Sequence, residues 1–148
     1  MGKTNLQVSE IGFGGEWLER HPEEESIELI RYASSKGINI LDCWMADPKS
    51  RDIIGKGIKE NRSQWFIQGH IGSTWKDNQY FQYQRYEICR PAFEDLLKRL
   101  QTDYIDLGMI HYIDSEEEWE QIQHSDYMDY VIELKNTRRD PPHRYEFP

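Results

Sequence analysis

Little in this chain can form a disulfide framework, a membrane span or an anion-binding surface. Two cysteines occur in 148 residues, Cys43 and Cys89, and neither sits at metal-ligand spacing, so reduced thiols in a cytoplasmic protein are expected. No apolar run approaches the roughly 20 residues of a membrane-spanning helix, and the first residues show no secretory pattern. Positive charge is in deficit: 18 Lys and Arg against 27 Asp and Glu leave a formal net charge of −9. That balance argues against nucleic acid or an anionic membrane as partner. Mean hydropathy is low, at −0.87, so the margin of apolar burial is small. What the chain does have is length for one domain and many aromatic side chains, with 5 Trp, 9 Tyr and 5 Phe.

The stretch Thr102–Ser115 organises the rest. It opens polar, runs apolar from Leu107 to Ile110, and then delivers His111 and Asp114. A short apolar run between helical segments fits a parallel strand. In sheets of that kind chemistry sits at the carboxyl ends of the strands. His111 is therefore placed like a site residue; as a lone histidine it is read almost as well as a structural one.

In chain order, Thr4–Gly15 reads as a hairpin strand followed by the glycine-rich Ile11–Gly15. Its glycines suit close backbone approach at a strand end, and the full dinucleotide fingerprint is missing. Pro22 and the glutamates after it start a helix with Ile27, Ile30 and Ala33 inward, which Gly37 stops. The acidic run there is a solvated helix start. Ile38–Asp42 is the next strand and ends on a carboxylate. Ser50 is taken as the cap of a helix carrying Ile53, Ile54 and Ile58. Trp65–Gln68 is a third strand, with His70 at its end. Ser73–Arg85 is expected to be a long polar-aromatic loop able to wall a ligand pocket. Pro91 is expected to start a helix carrying Phe93, Leu96, Leu97 and Leu100. The order is thus strand–helix four times, with Asp42, His70 and His111 each just past a strand. Such units imply an α/β fold with a parallel sheet and right-handed crossovers, without deciding between a doubly wound sheet and half of a barrel.

A resemblance decides it. The segments Thr4–Gly15, Gly37–Asp42, Ser50 with Ile54–Lys56, Asp103–Leu107 and Ile110–His111 together resemble the first half of an aldo/keto reductase. The resemblance implies a (β/α)8 TIM barrel, here its first four βα units preceded by an N-terminal β-hairpin, and carbonyl reduction with NADP(H). It implies a tetrad of Asp, Tyr, Lys and His at the strand ends. Asp42 matches the Asp and His111 matches the His. The Tyr position falls on Asp47 and the Lys position on His70. In that chemistry the Tyr hydroxyl protonates the developing alkoxide and the Lys lowers its pKa, so the replacements put the usual mechanism in question.

Asp42, Asp47, His70 and His111 are the candidate site residues and are expected to converge in one pocket. Two histidines and carboxylates also resemble a metal set in residue type, which keeps open a metal-dependent lyase or hydrolase. A complete barrel needs roughly 250 residues. Residues 1–136 are read as strands one to four with their helices, so the phosphate-binding loops after strands seven and eight are expected to be missing. The chain is expected to bind no cofactor and to be inactive alone, or to persist as a non-catalytic half-barrel. Unpaired sheet edges suggest self-association, most simply a two-fold dimer. A helix opened by Ser115 and Glu118 and a further helical segment from Tyr127 follow the fourth strand.

Residues 137–148 change character, and adjacent prolines exclude a central strand there. Synonymous codons can be chosen for them which, read one base later, encode His-Gly-Val-Ile-Arg-His-Ile-Gly-Met-Ser-Ser, resembling the family's fifth strand. The tail is accordingly expected to be an irregular product of a frameshift, a reading that the gene's nucleotide sequence would confirm or end.

Overall fold

The computed structural model describes residues 4–136; the expected irregular tail, 137–148, lies outside them. Four strands make one parallel sheet in the order β1 (Phe13–Gly14), β2 (Ile40–Cys43), β3 (Phe66–Ile71) and β6 (Leu107–Ile110). Helix α1 (Glu23–Ser35) joins β1 to β2, α2 (Pro48–Ile58) joins β2 to β3, and α3 (Tyr86–Arg99) leads to β6. Helices α4 (Glu116–Gln123) and α5 (Asp126–Asn136) follow. Each strand pairs with that of the next βα unit, as in the first half of a (β/α)8 barrel.

Side-chain alternation divides the sheet into two faces. Leu41, Cys43, Ile67 and Ile71 join the main core, with Ile30, Ile53, Ile54, Ile58 and Leu96 from the helices. The other face would line a barrel. Its floor is a small cluster of Phe66 and Leu107 with Ile40, sealed from below by Leu6. Above the floor the register sets Asp42 beside Gln68 and His70 beside Met109. Met109 remains 37 % exposed, because the described residues present no opposite wall.

Four local expectations change. No N-terminal hairpin forms in the described part of the opening segment, where residues 4–12 contain no strand. Its polar groups are met by side chains instead: Ser9 N donates to Asn39 Oδ1 at 2.7 Å and Asn39 Nδ2 to Gln7 O at 3.0 Å. The hairpin of this fold lies elsewhere. The expected loop Ser73–Arg85 folds as antiparallel strands β4 (Ser73–Lys76) and β5 (Gln79–Gln82). Asp77 and Asn78, at φ 51° and 58°, supply the left-handed pair that a two-residue type I′ turn needs. Helix α2 is capped by Asp47, not Ser50: Asp47 Oδ1 accepts from Ser50 N at 2.8 Å, and Pro48 takes the first helical position, where its missing N–H costs nothing. Helix α3 starts at Tyr86 and carries Pro91 inside it, on an exposed side and early enough that only one helical bond is lost.

The glycines of α2 set how closely the helices approach. A Cβ on Gly55 would lie 2.2 Å from the Arg99 carbonyl oxygen, and one on Gly57 would lie 2.8 Å from Ile30 Cδ1. Gly14, by contrast, has nothing within 4 Å of such an atom. Backbone cannot yield as a side-chain end can, so Gly55→Ala should destabilise the chain by about 1–3 kcal/mol as an overpacking change. Gly14→Ala should leave stability nearly unchanged; urea denaturation of both variants against the parent measures the difference.

Candidate active site

The site is assembled by strand register and one tight turn. Asp42 rises from β2 and His70 from β3 on the same face, and His111 follows β6, its N–H donating to Ile71 O at 3.1 Å. Gly72, at φ 107°, ends β3 and turns the chain directly into β4. A Cβ at Gly72 would lie 2.6 Å from the Tyr83 carbonyl, so only glycine lets the hairpin fold back here. The hairpin is then fastened over the strand ends. Ser73 Oγ donates to Trp44 O at 2.5 Å, and Gln84 Nε2 donates to His111 O at 2.9 Å and to Tyr112 O at 2.7 Å. The buried Arg51 guanidinium reaches the carbonyls of Met45, Ala92 and Ser73 at 3.2–3.5 Å, with burial lowering its pKa.

These elements bring four side chains into one line. Asp42 Oδ1 lies 3.1 Å from His70 Nε2, His70 Nδ1 lies 2.9 Å from His111 Nδ1, and His111 Nε2 lies 2.5 Å from the Tyr80 hydroxyl. Gln68 Nε2 donates to Asp42 Oδ1 at 3.2 Å. Trp44 stacks on His111 at 5.9 Å between ring centroids and meets Tyr80 edge-on at 5.4 Å. His111 is 3 % exposed. Burial, and then the neighbouring His70, push its pKa down to about 4, so it is neutral near pH 7. Burial raises the Tyr80 pKa, as does the adjacent Tyr112.

Three of the four expected site residues therefore converge: Asp42, His70 and His111. Asp47 does not join them. Its carboxylate is engaged at the start of α2, and no hydrogen bond among the described residues links it to the other three. The group that does join is Tyr80, from the segment expected to be a loop. The signal available was the alternation of Thr74–Phe81 about Asp77-Asn78, which marks a hairpin and fixes which side chains point one way.

The imidazoles face one another through nitrogen, so their lone pairs do not converge on a common point. Among the described residues no group of three or more His, Cys, Asp or Glu side chains could hold a metal ion. The glycine-rich turn does not fit a dinucleotide phosphate either. A Cβ on Gly15 would lie 2.7 Å from both Asp42 O and Ile54 Cδ1, so the turn is filled by the protein's own packing. The arrangement is a run of hydrogen-bonding groups, Asp42, His70, His111 and Tyr80, each within reach of the next.

With this geometry in place, comparison with known proteins is decisive. The sequence model of the aldo/keto reductase family matches residues 10–137. The chain belongs to that family. It is 38 % identical over 120 residues to aldo-keto reductase YhdN of Bacillus subtilis, which covers 75 % of this chain and 36 % of that protein. It is 30 % identical over 123 residues to L-galactose dehydrogenase of Arabidopsis thaliana, covering 77 % of this chain and 37 % of that one. A solved putative aldo-keto reductase from Pseudomonas aeruginosa superposes with a TM-score of 0.75 at 28 % identity, over 88 % of this chain and 52 % of its own. The chain thus spans little more than a third of these curated relatives and about half of the solved one.

Neutral His111 carries a pH signature. Its folded pKa lies below the unfolded value of 6.5, so the unfolded chain binds the proton first as pH falls. The contribution of His111 to stability is complete above about pH 6.5 and is lost as pH falls toward about 4. Urea unfolding across that window should show a loss of roughly 1–3 kcal/mol beyond that of His111→Gln, which lacks the titrating ring. Parallel slopes for the two proteins would contradict this assignment.

Proposed function

We propose that this chain is the proton-handling half of an NADP(H)-dependent carbonyl oxidoreductase and does not turn over alone. The observation that carries the reading is the hydrogen-bonded line Asp42–His70–His111–Tyr80 at the carboxyl ends of parallel strands. A carbonyl oxygen that receives a hydride equivalent must gain a proton, and a tyrosine hydroxyl backed by histidine is suited to provide it. An aldo-keto reductase of Klebsiella pneumoniae has been solved in complex with NADPH, which supports NADP(H) as the family partner here. Phosphate sites of barrels lie on the loops after strands seven and eight, beyond the four strands described. A small carbonyl compound is the proposed substrate class. No helix among the described residues is long and apolar enough to cross a membrane. Cys43 and Cys89 are buried and unpaired, which suits the cytoplasm.

The same half-barrel is proposed to self-associate. Among the described residues β1 and β6 each have a neighbour on one side only, and such open edges pair readily with another chain. A second copy brings the strand number to eight and closes the arrangement by two-fold symmetry. Purified chain titrated with NADPH, with protein fluorescence as readout, should show no saturation at micromolar cofactor and no aldehyde-dependent NADPH oxidation. Light scattering at micromolar protein should give twice the monomer mass. Saturable NADPH binding with turnover would refute the inactive-half reading, and a monodisperse monomer would refute the dimer.

A further inference from the structure

Hydrogen positions along the site constrain one another link by link. Asp42 Oδ1 accepts from Gln68 Nε2, and as an acceptor it pairs with a His70 Nε2, 3.1 Å away, that carries a hydrogen. With a hydrogen on Nε2 alone, His70 has a bare Nδ1, which accepts from His111 Nδ1–H across 2.9 Å. Neutral His111 in turn has a bare Nε2, which accepts from the Tyr80 hydroxyl. The opposite polarity would set a bare His70 Nε2 against the Asp42 carboxylate, two acceptors 3.1 Å apart. Gln68 Nε2, 3.3 Å from His70 Nε2, donates to Asp42 in the favoured polarity and would donate to His70 in the opposite one.

We propose that Asp42, His70, His111 and Tyr80 form a directional proton relay, with Asp42 at its solvent end and Tyr80 as the group that protonates substrate oxygen. This deepens the carbonyl-oxidoreductase reading and rests on it for the identity of the proton acceptor. Asp42 is 39 % exposed at its side chain and His70 is 16 % exposed, so the outer end meets bulk water while the His111 link is sealed. When the His70–Asp42 pair takes up one proton, His70 carries hydrogen on both nitrogens. His111 must then accept at Nδ1 and hold its own hydrogen at Nε2, pointing at the Tyr80 oxygen. The Tyr80 hydroxyl is released to point outward.

From that state one proton can be delivered. An oxygen gaining negative charge beside Tyr80 takes the hydroxyl proton, forming one O–H bond as another breaks. The Tyr80 oxygen takes the Nε2 proton of His111, and His111 Nδ1 takes the Nδ1 proton of His70. The line returns to its first polarity with one proton fewer, and water restores that proton through Asp42. His111 remains neutral throughout. That suits its environment, in which the ionisable groups facing it are His70 and Asp42 from the neighbouring strands, Tyr80 from the hairpin, Tyr112 beside it and Tyr127 from α5.

Nitrogen-15 spectra of the histidine-labelled full chain test this without any cofactor. At neutral pH His111 should carry its hydrogen on Nδ1 and His70 on Nε2. On acidification His111 should pass to the Nε2–H form while still neutral, at the same midpoint at which His70 gains its second proton. Asp42→Ala removes the acceptor at a solvent-accessible position and frees Gln68 to donate to His70. In that variant His111 should already be Nε2–H at neutral pH, with the backbone amide spectrum otherwise retained. In Tyr80→Phe the shared midpoint should move. A His111 found mainly as Nε2–H in the parent chain, or unchanged by Asp42→Ala, would overturn the directional relay. Separate midpoints for the two histidines would do the same, and a midpoint unmoved in Tyr80→Phe would remove Tyr80 from it. These readouts are independent of NADPH binding and turnover, so the relay and the reductase reading fail separately.

Discussion

Two imidazole nitrogens 2.9 Å apart can share one proton and not two, and the site is built around that restriction. It requires His70 and His111 to hold opposite hydrogen-bonding roles at their Nδ1 atoms, and whatever fixes one ring fixes the other. Strand register supplies the spacing. His70 stands opposite Met109, and His111 sits two positions further on, with its backbone tied to Ile71. A one-residue slip between β3 and β6 would turn one of the two rings to the helix side of the sheet.

The hairpin converts that pair into a site. In the resemblance the hydroxyl would come from the loop after β2, at the position of Asp47. Here that loop is recruited to start α2, because an aspartate followed by proline is a strong helix opening. The hydroxyl that meets His111 is that of Tyr80, from β5. Its delivery depends on Gly72, the only described non-helical glycine other than Gly37 with a positive φ, and on the carbonyls gathered by Arg51. The buried guanidinium is held mainly by carbonyl oxygens, while Asp42 is approached by Gln68 and His70.

Much of this was legible in the residues. The alternation of apolar strands and amphipathic helices, the strand end before His111, the close approach at Gly15 and the Ser115 cap of α4, where Glu118 N donates to Ser115 Oγ at 3.1 Å, all follow from local patterns. Asp42 and His70, expected just past their strands, lie inside β2 and β3, which run on to Cys43 and Ile71. What was not read correctly depended on competition between neighbours. Ser50 is a good cap taken alone, but Asp47 with Pro48 is better. Pro91 resembles a helix start until the backbone N–H of Cys89 is seen already bonded to Arg85 O. Thr74–Phe81 looks like a loop because its aromatic residues are interleaved with polar ones, yet that interleaving is strand alternation about a left-handed turn. The role of Tyr80 could not be read from its own neighbourhood, since it is set by His111, thirty-one positions away.

The floor under the sheet has a consequence for the order of folding. Leu6 seals the cluster of Phe66, Leu107 and Ile40, and every parallel pairing joins one βα unit to the next one made. Among the described strands of this sheet each pairs with its neighbour in order along the chain, which keeps the costly closure of long loops small. The residue that stoppers the base precedes all four sheet strands in the chain. Such a sheet can gather its shape strand by strand in chain order, much as an arch is raised on its centring before the opposite side is in place.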